Sequence, residues 1–465
     1  MSQSQEAAGA AGAGAHIADA AARPLWRKAP VAAIALPQRA VMTTLGVFLA
    51  PYLAGQMGVA HAVVGATIGL VRQFDVPFDP LCGMMIDRTR TRFGRYRVWM
   101  ALGAPVLMLA LYMIIHARAG VTQPYLIIWL LVLYMGLSIW ELSLSAWASS
   151  LAKDYHDRSR LFGVIQAVGV TGSSLILLIP VIFEHTGRGD AGIVHAMGWS
   201  EIVAIPIACA VAVLLTPERP SAPSAKSAFR LRDYWEIIRQ PNMIRIILAD
   251  LFFTLGPGWV GATLLFYITR GKGLTTGDFG LLLLLYTFIG VFGAPFMARV
   301  AQKISKPRAV MICAAGFATT IACWPLVPQH SFAGCLAQML PSGIFGSGFT
   351  LLIRAMTGDV ADQVRLEQGK ERAALMYALT SLTTKISGAL SITITYFLLD
   401  EVGFNAKGAN TAEALSGLQL ITVAGPAVLC GFGALSLLGY SLTPARHAEI
   451  RRQLDERDRL AENTA

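Results

Sequence analysis

The sequence predicts an all-α membrane protein with twelve transmembrane helices in two six-helix halves. Three observations predict it. Of 465 residues, 55% are hydrophobic and 14% charged, against about 25% charged in soluble proteins, too few to coat a soluble chain of this length. The apolar residues fall into runs of about 20 or more, the length that crosses a bilayer as helix. Lys and Arg are shared unequally between alternate connections. Together these exclude disordered, collagen-like, disulfide-scaffold and soluble-enzyme classes.

Residues 1–23 are rich in Ala, Gly, Ser and Gln and lack the basic start and apolar core of a signal peptide, so 1–28 is expected to be a disordered cytoplasmic tail. Six spans follow at 31–56, 60–86, 97–117, 124–151, 161–183 and 198–216, the first half being 29–216. The connection 217–242 opens on Pro, Ser and Ala and continues as FRLRDYWEIIRQ. There Phe229, Tyr234, Trp235 and Ile238 form one stripe, with Arg230, Arg232 and Arg239 beside it. The segment is either an interfacial helix linking the halves or a solvated linker. The second half, 243–440, has spans at 243–269, 277–300, 308–327, 331–357, 373–400 and 414–440, and 441–465 is a cytoplasmic tail. Runs such as Leu281–Leu285 lack the alternation of a β-barrel.

With the N-terminus inside, only Arg118, Arg188, Arg270, Lys272 and Lys407 of 38 basic residues lie opposite the cytoplasm, and Arg39, Arg72, Arg354 and Lys385 fall within spans. Both termini are therefore expected to be cytoplasmic. The same asymmetry accounts for the net charge of +10 without nucleic acid. The six cysteines contain no C-x-x-C pair and read as small buried hydrophobes. No nucleotide loop, H-E-x-x-H or G-x-S-x-G is present, so no enzyme activity and no cofactor are expected.

An ionisable residue at membrane depth is a functional candidate because it is expensive there. The second span, LVRQFDVPFDPLCGMMIDRTRTRFGRYRVW, holds the densest set. Asp75 and Asp79 share one helix face, with Arg72 a turn earlier. Two such carboxylates repel unless a cation or proton lies between them, which makes them a cation-binding pair; the alternative is a structural ion pair with Arg72. Pro77 and Pro80 remove backbone donors and loosen the same helix, and freed carbonyls are potential extra ligands.

The run D-x-x-x-D-P-x-x-G-x-x-x-D-R-T followed by G-R-x-R resembles the glycoside–pentoside–hexuronide:cation symporters, the melibiose-permease-like family of the major facilitator superfamily. It is carried by Arg72, Asp75, Asp79, Pro80, Gly83, Asp87, Arg88, Thr89, Gly94, Arg95 and Trp99. Weaker similarity runs through DRSRLFG, GDVADQVRLEQGKER and TTKISGAL. The resemblance implies the major facilitator fold, two pseudo-symmetric bundles, alternating access and a bacterial inner-membrane location. It places Asp75 and Asp79 at the coupling cation, H⁺ or Na⁺, and Lys385 in the eleventh span beside the cation and substrate sites. Beyond sodium at that pair no metal is expected.

The departures from that pattern bear on specificity. Phe78 stands for an asparagine and Met135 for a threonine of sodium-coupled members, which favours proton coupling. Arg39 stands for a sugar-binding aspartate, Ser138 for another with Glu141 one turn on, and Gln166 for an arginine. Arg39 either pairs with Glu141 or forks onto a carboxylate or phosphate of the substrate. Trp140 and Trp259 either stack on a ring or fill the helix packing. The expected substrate site is Arg39, Ser138, Trp140, Glu141, Gln166 and Lys385. Asp87, Arg88 and Arg95 are expected to gate the cytoplasmic side.

The expected function is cation-coupled symport of a sugar, glycoside or uronate-like solute. The partners are a small carbohydrate or organic anion and membrane lipid, and a monomer suffices. A lysolipid transporter of the same fold and a non-transporting membrane sensor are the alternatives.

Overall fold

The computed structural model describes residues 25–464 except 90, 119, 152–154, 187–191, 217, 219–230 and 370–371. The expected tail 1–23 and most of the Pro/Ser/Ala connection lie outside the described residues. Those described are helical, with no strand among them. We number the helices α1 (residues 25–55), α2 (His61–Arg88), α3 (Tyr96–Ile115), α4 (Gln123–Leu151), α5 (Tyr155–His185), α6 (Ile193–Leu215), α7 (Leu231–Ile238), α8 (Pro241–Phe266), α9 (Thr276–Ile304), α10 (Lys306–Ala322), α11 (Phe332–Gln368), α12 (Ala373–Glu401), α13 (Ala412–Ser436) and α14 (Pro444–Thr464).

Eleven of these, all except α2 and the short or polar α7 and α14, are long and apolar enough to cross a membrane. The 28-residue α2 falls short because Arg72, Asp75 and Asp79 interrupt its middle. The fold class is the one expected, and the helix that breaks the apolar pattern is the one with the carboxylates.

The chain folds into two compact units. Unit 1 is Met1–Leu45, Phe74–Ile179 and Gly192–Ala225; unit 2 is Gly46–Gln73, Pro180–Ala191 and Lys226–Ala465. In unit 1, α3 packs against α4 and α6. Gly103 lies flat against Trp140, where a Cβ would stand 2.7 Å from the ring, and Gly136 lies against Leu107. Small residues at such crossings let helices approach where no hydrophobic drive separates helix from lipid. In unit 2, α9 packs on α11, and α8 on both α12 and α13. Phe253 and Phe349 stack at 4.6 Å between α8 and α11.

α1 is not one regular helix. It passes from a 3-10 stretch, Ala29–Ile34, through α-helix to a π-helical stretch, Thr44–Leu49, and back to α-helix. Mid-helix π-turns displace the backbone bonding and recur at functional sites.

The C-terminal segment, expected only as a tail, forms α14, whose Ile450 and Leu454 are buried with Leu442 against Leu366 and Tyr440. Its polar edge meets the end of α11. His447 Nε2 lies 3.1 Å from Asp362 and Arg451 Nη1 3.3 Å from it, while Lys306 pairs with Asp359 at 2.6 Å. The carboxylates of α11 thus serve the docked α14 and Lys306, the first residue of α10.

Candidate functional site

Asp75 and Asp79 lie in the middle of α2, which runs unbroken through Pro77 and Pro80. A proline has no N–H, so Pro77 and Pro80 leave the carbonyls of Gln73 and Val76 without their intrahelical donors. Electron-rich oxygens are therefore grouped with the two carboxylates on one helical segment. Asp75 is buried, 2% exposed, and accepts a 2.9 Å hydrogen bond from Ser138 Oγ of α4. Asp79 is half-buried with its Oδ1 closed off from the surface, and Arg72 lies half-buried one turn before Asp75. A buried carboxylate needs hydrogen-bond donors or positive charge to remain ionised, and Ser138 supplies one donor. Ser138, expected among the substrate contacts, thus spends its hydroxyl on the carboxylate.

Arg39 of α1 donates Nη2 to Gln166 Oε1 of α5 at 3.0 Å. Both side chains are exposed within unit 1. The stem of Arg39 crosses Gly169, where a Cβ would stand 2.8 Å from Arg39 Cγ. One turn along α1, Thr43 Oγ1 meets Ser173 Oγ of α5 at 3.2 Å. These pairs form a polar edge along the α1–α5 crossing. Of the two alternatives for Arg39, pairing with Glu141 is absent: Glu141 is exposed and makes no ion pair with Arg39 among the described residues. The guanidinium keeps its charge and part of its donor fork, since Gln166 is a neutral partner.

Trp140 is fully buried, and its Nε1 donates to Met100 O of α3 at 3.2 Å. Trp259 Nε1 likewise donates to Ile421 O of α13 at 2.9 Å. Both indoles take the packing alternative. Lys385 is half-buried on α12 in unit 2. The structure thus brings together Asp75 with Ser138, and Arg39 with Gln166, inside unit 1.

In the loop after α2, Arg95 Nε donates to Ile86 O at 2.8 Å and Trp99 Nε1 to Thr89 Oγ1 at 2.8 Å. Glu218 accepts from the backbone N–H groups of Arg95, of Tyr96 at 2.7 Å and of Arg97 at 3.2 Å. An acidic side chain on the first N–H groups of α3 satisfies donors that the helix cannot pair and complements its dipole. Gly94 has φ 109° and its Cα faces Glu218, so the G-R-x-R glycine is needed both for its backbone and for this approach. Arg88 is exposed in the last turn of α2, and the side chain of Asp87 lies outside the described residues.

Two intramembrane carboxyls went unremarked in the sequence. Glu201 of α6 is 1% exposed and bonded to Thr44 Oγ1. Asp250 of α8, in unit 2, is 9% exposed and bonded to Thr383 Oγ1 of α12. Each is a lone acid in an apolar run, MGWSEIVAIP or IILADLFF, and that isolation was the signal.

The MFS/sugar transport protein family model matches residues 30–444. The chain is 22% identical to the isoprimeverose transporter of Lactiplantibacillus pentosus, over 87% of this chain and 87% of the relative. It is 24% identical to the glucuronide carrier protein homolog of Escherichia coli (strain K12), over 89% of this chain and 92% of the relative. Among solved structures it is similar to the nucleoside transporter NupG, with TM-score 0.68 and 12% identity, over 89% of this chain and 99% of the other.

Proposed function

The chain belongs to the MFS/sugar transport protein family, and on that premise we propose that it is a cation-coupled symporter of a sugar, glycoside or uronate-like solute. It is a multi-pass membrane transporter and not an enzyme. The observation that carries the coupling is the buried Asp75 held by Ser138, with Asp79 one turn on, in a long helix whose mid-span charges break the apolar pattern. H⁺ or Na⁺ at the pair would cancel its repulsion. If filling the pair favours the state that binds solute, binding of either ligand strengthens the other. In alternating access the two halves, 29–216 and 243–440, move about such a site, with both termini cytoplasmic and Asp87, Arg88 and Arg95 at the gate.

For the substrate, Arg39 with its neutral partner Gln166 favours a carboxylate on the solute over a wholly neutral sugar. Glu141 and Lys385 add hydroxyl and anion contacts, and Trp140 fixes the register of Ser138 and Glu141 on either side of it. The likeness to a glucuronide carrier homolog and an isoprimeverose transporter supports solutes of this size and type.

The test is labelled-solute uptake into proteoliposomes, offering a neutral glycoside, a uronate and a lysophospholipid in turn, with sodium or pH gradients. Gradient-driven accumulation of the uronate or glycoside is expected. Uptake of the lysophospholipid alone would replace this reading with lipid transport, and saturable binding of a solute without uptake would replace it with sensing. A second expectation concerns Ser138→Ala, which removes one donor to a charged acceptor, worth about 1.5–3 kcal/mol. For sodium the concentration for half-maximal uptake should rise about tenfold or more, and for protons it should fall by a similar factor, because the donor favours only the ionised carboxylate; an unchanged half-maximal concentration of the driving ion would remove Ser138 from the site.

A further inference from the structure

We propose that Glu201 is a proton-binding site of unit 1, separate from Asp75 and Asp79, that takes up and releases one proton against Thr44 at the start of the π-turn in α1.

The inference rests on counting hydrogens. Thr44 Oγ1 lies 3.2 Å from Ala40 O and also bonds Glu201 Oε1. Both neighbours are acceptors when Glu201 is ionised, yet a hydroxyl carries a single hydrogen. Both contacts are full two-centre hydrogen bonds at once when the glutamate brings a hydrogen of its own and donates it to Thr44; an ionised glutamate would leave one hydrogen shared between two acceptors. The neighbouring Thr43 lies against both Arg39 O and Ser173 Oγ, and there the second neighbour is a hydroxyl with a hydrogen of its own to give.

The rest of the environment agrees. Glu201 is 1% exposed, and its Oε2 is buried with no hydrogen-bond partner among the described residues. A buried anion with one oxygen unsolvated and no counter-charge is among the costliest arrangements a protein holds. α6 packs against α1 and α3. The charged or titratable groups on these helices are Arg27, Lys28, Arg39 and Tyr52 on α1, Tyr96, Arg97 and Tyr112 on α3 with His116 at its end, and His195 and Cys209 on α6 itself. None is bonded to or paired with Glu201 among the described residues. Asp250 repeats the contact, since Thr383 also reaches Thr380 O at 2.7 Å, but the Arg354 charge acts on it. The count is the same at both acids, and the lack of a charged partner among the described residues singles out Glu201.

The position gives the proton something to act on. Thr44 is the first residue of the π-helical stretch, and the boundary between the two compact units crosses α1 at Leu45 and Gly46, one residue later. Arg39, the candidate anion contact, lies little more than one turn before Thr44 on the same helix. Losing the proton removes the hydrogen that completes the Thr44 contacts and leaves an anion against the π-turn, so the turn must rearrange or admit water. The effect on transport rests on the symport reading above; the proton site itself does not.

The experiment is difference infrared spectroscopy of the purified full-length protein in lipid, titrated with pH and without substrate, in the Asp75→Asn/Asp79→Asn background. A protonated-carboxyl C=O band is expected that is lost on raising pH and is absent in Glu201→Gln. Thr44→Val should displace its midpoint by about one pH unit, the worth of one hydrogen bond, while Thr44→Ser should leave it in place. Absence of the band at every pH, its survival in Glu201→Gln, or its failure to respond to pH would each overturn the proposal. A protein that transports none of the solutes offered would overturn the symport reading and leave this titration standing.

Discussion

Asp75→Asn and Asp79→Asn are expected to abolish concentrative uptake, lowering it by about 100-fold or more, equivalent to roughly 3 kcal/mol. Asparagine keeps the volume of aspartate but can neither carry a charge nor hold an exchangeable proton. In Asp75→Asn the side-chain oxygen can still accept the Ser138 hydroxyl, so the α2–α4 contact seen at 2.9 Å survives and the fold is spared. What disappears is the negative charge that makes the site attractive to a cation. The two substitutions differ in one respect. Asp75 is buried and already has a donor, so its replacement removes an interior charge and relieves desolvation. Asp79 is half-buried, and its replacement takes away the carboxylate more accessible to an entering ion. The Asp79 variant should therefore lose cation affinity with little change in thermal stability, while the Asp75 variant should gain slightly in stability. Exchange of labelled for unlabelled solute without a gradient separates coupling from binding. If both variants still accumulate solute against its gradient, the pair is not the coupling site.

Much of this was legible in the chain because the membrane makes errors expensive. A carboxylate inside an apolar span announces itself, and the D-x-x-x-D-P run set both the family and the pair to test. The helices followed from run length alone. The pairings between helices did not. Nothing local to Ser138 says that its hydroxyl meets Asp75, 63 residues away along the chain, and nothing local to Arg39 says that its partner is Gln166 and not Glu141. Such contacts depend on how helices rotate about their axes, and small residues such as Gly103 and Gly169 set that rotation. The prolines of α2 read as loosening the helix, and the structure carries the helix through both of them. The polar segment 441–465 read as a tail because its mean hydropathy is low, although Ile450 and Leu454, four residues apart, place one apolar edge on it.

Gly172→Ala in α5 is expected to destabilise unit 1 by about 1–3 kcal/mol, the cost of forcing atoms into a filled helix crossing. A Cβ at Gly172 would stand 2.8 Å from the carbonyl carbon of Leu36 and 2.9 Å from its Cα, and closer still to its oxygen. The obstacle is backbone, so no rotamer change relieves it; α1 or α5 must move. Movement there carries Arg39, three residues along α1, away from Gln166 and Thr43 away from Ser173. The loss should thus appear twice, as a lower unfolding temperature and as weaker solute binding. Gly163→Ala in the same helix is the internal control, because nothing lies within 4 Å of a Cβ there. It should be neutral or stabilising by about 0.5–1 kcal/mol, the usual gain when alanine replaces glycine in a helix. Thermal unfolding of the two purified variants beside wild type distinguishes a packing constraint at Gly172 from a general intolerance of α5. Equal unfolding temperatures for the two would mean that α1 and α5 do not cross here as closely as their glycine implies. A fall for Gly172→Ala with unchanged solute affinity would instead uncouple the crossing from the Arg39–Gln166 pair.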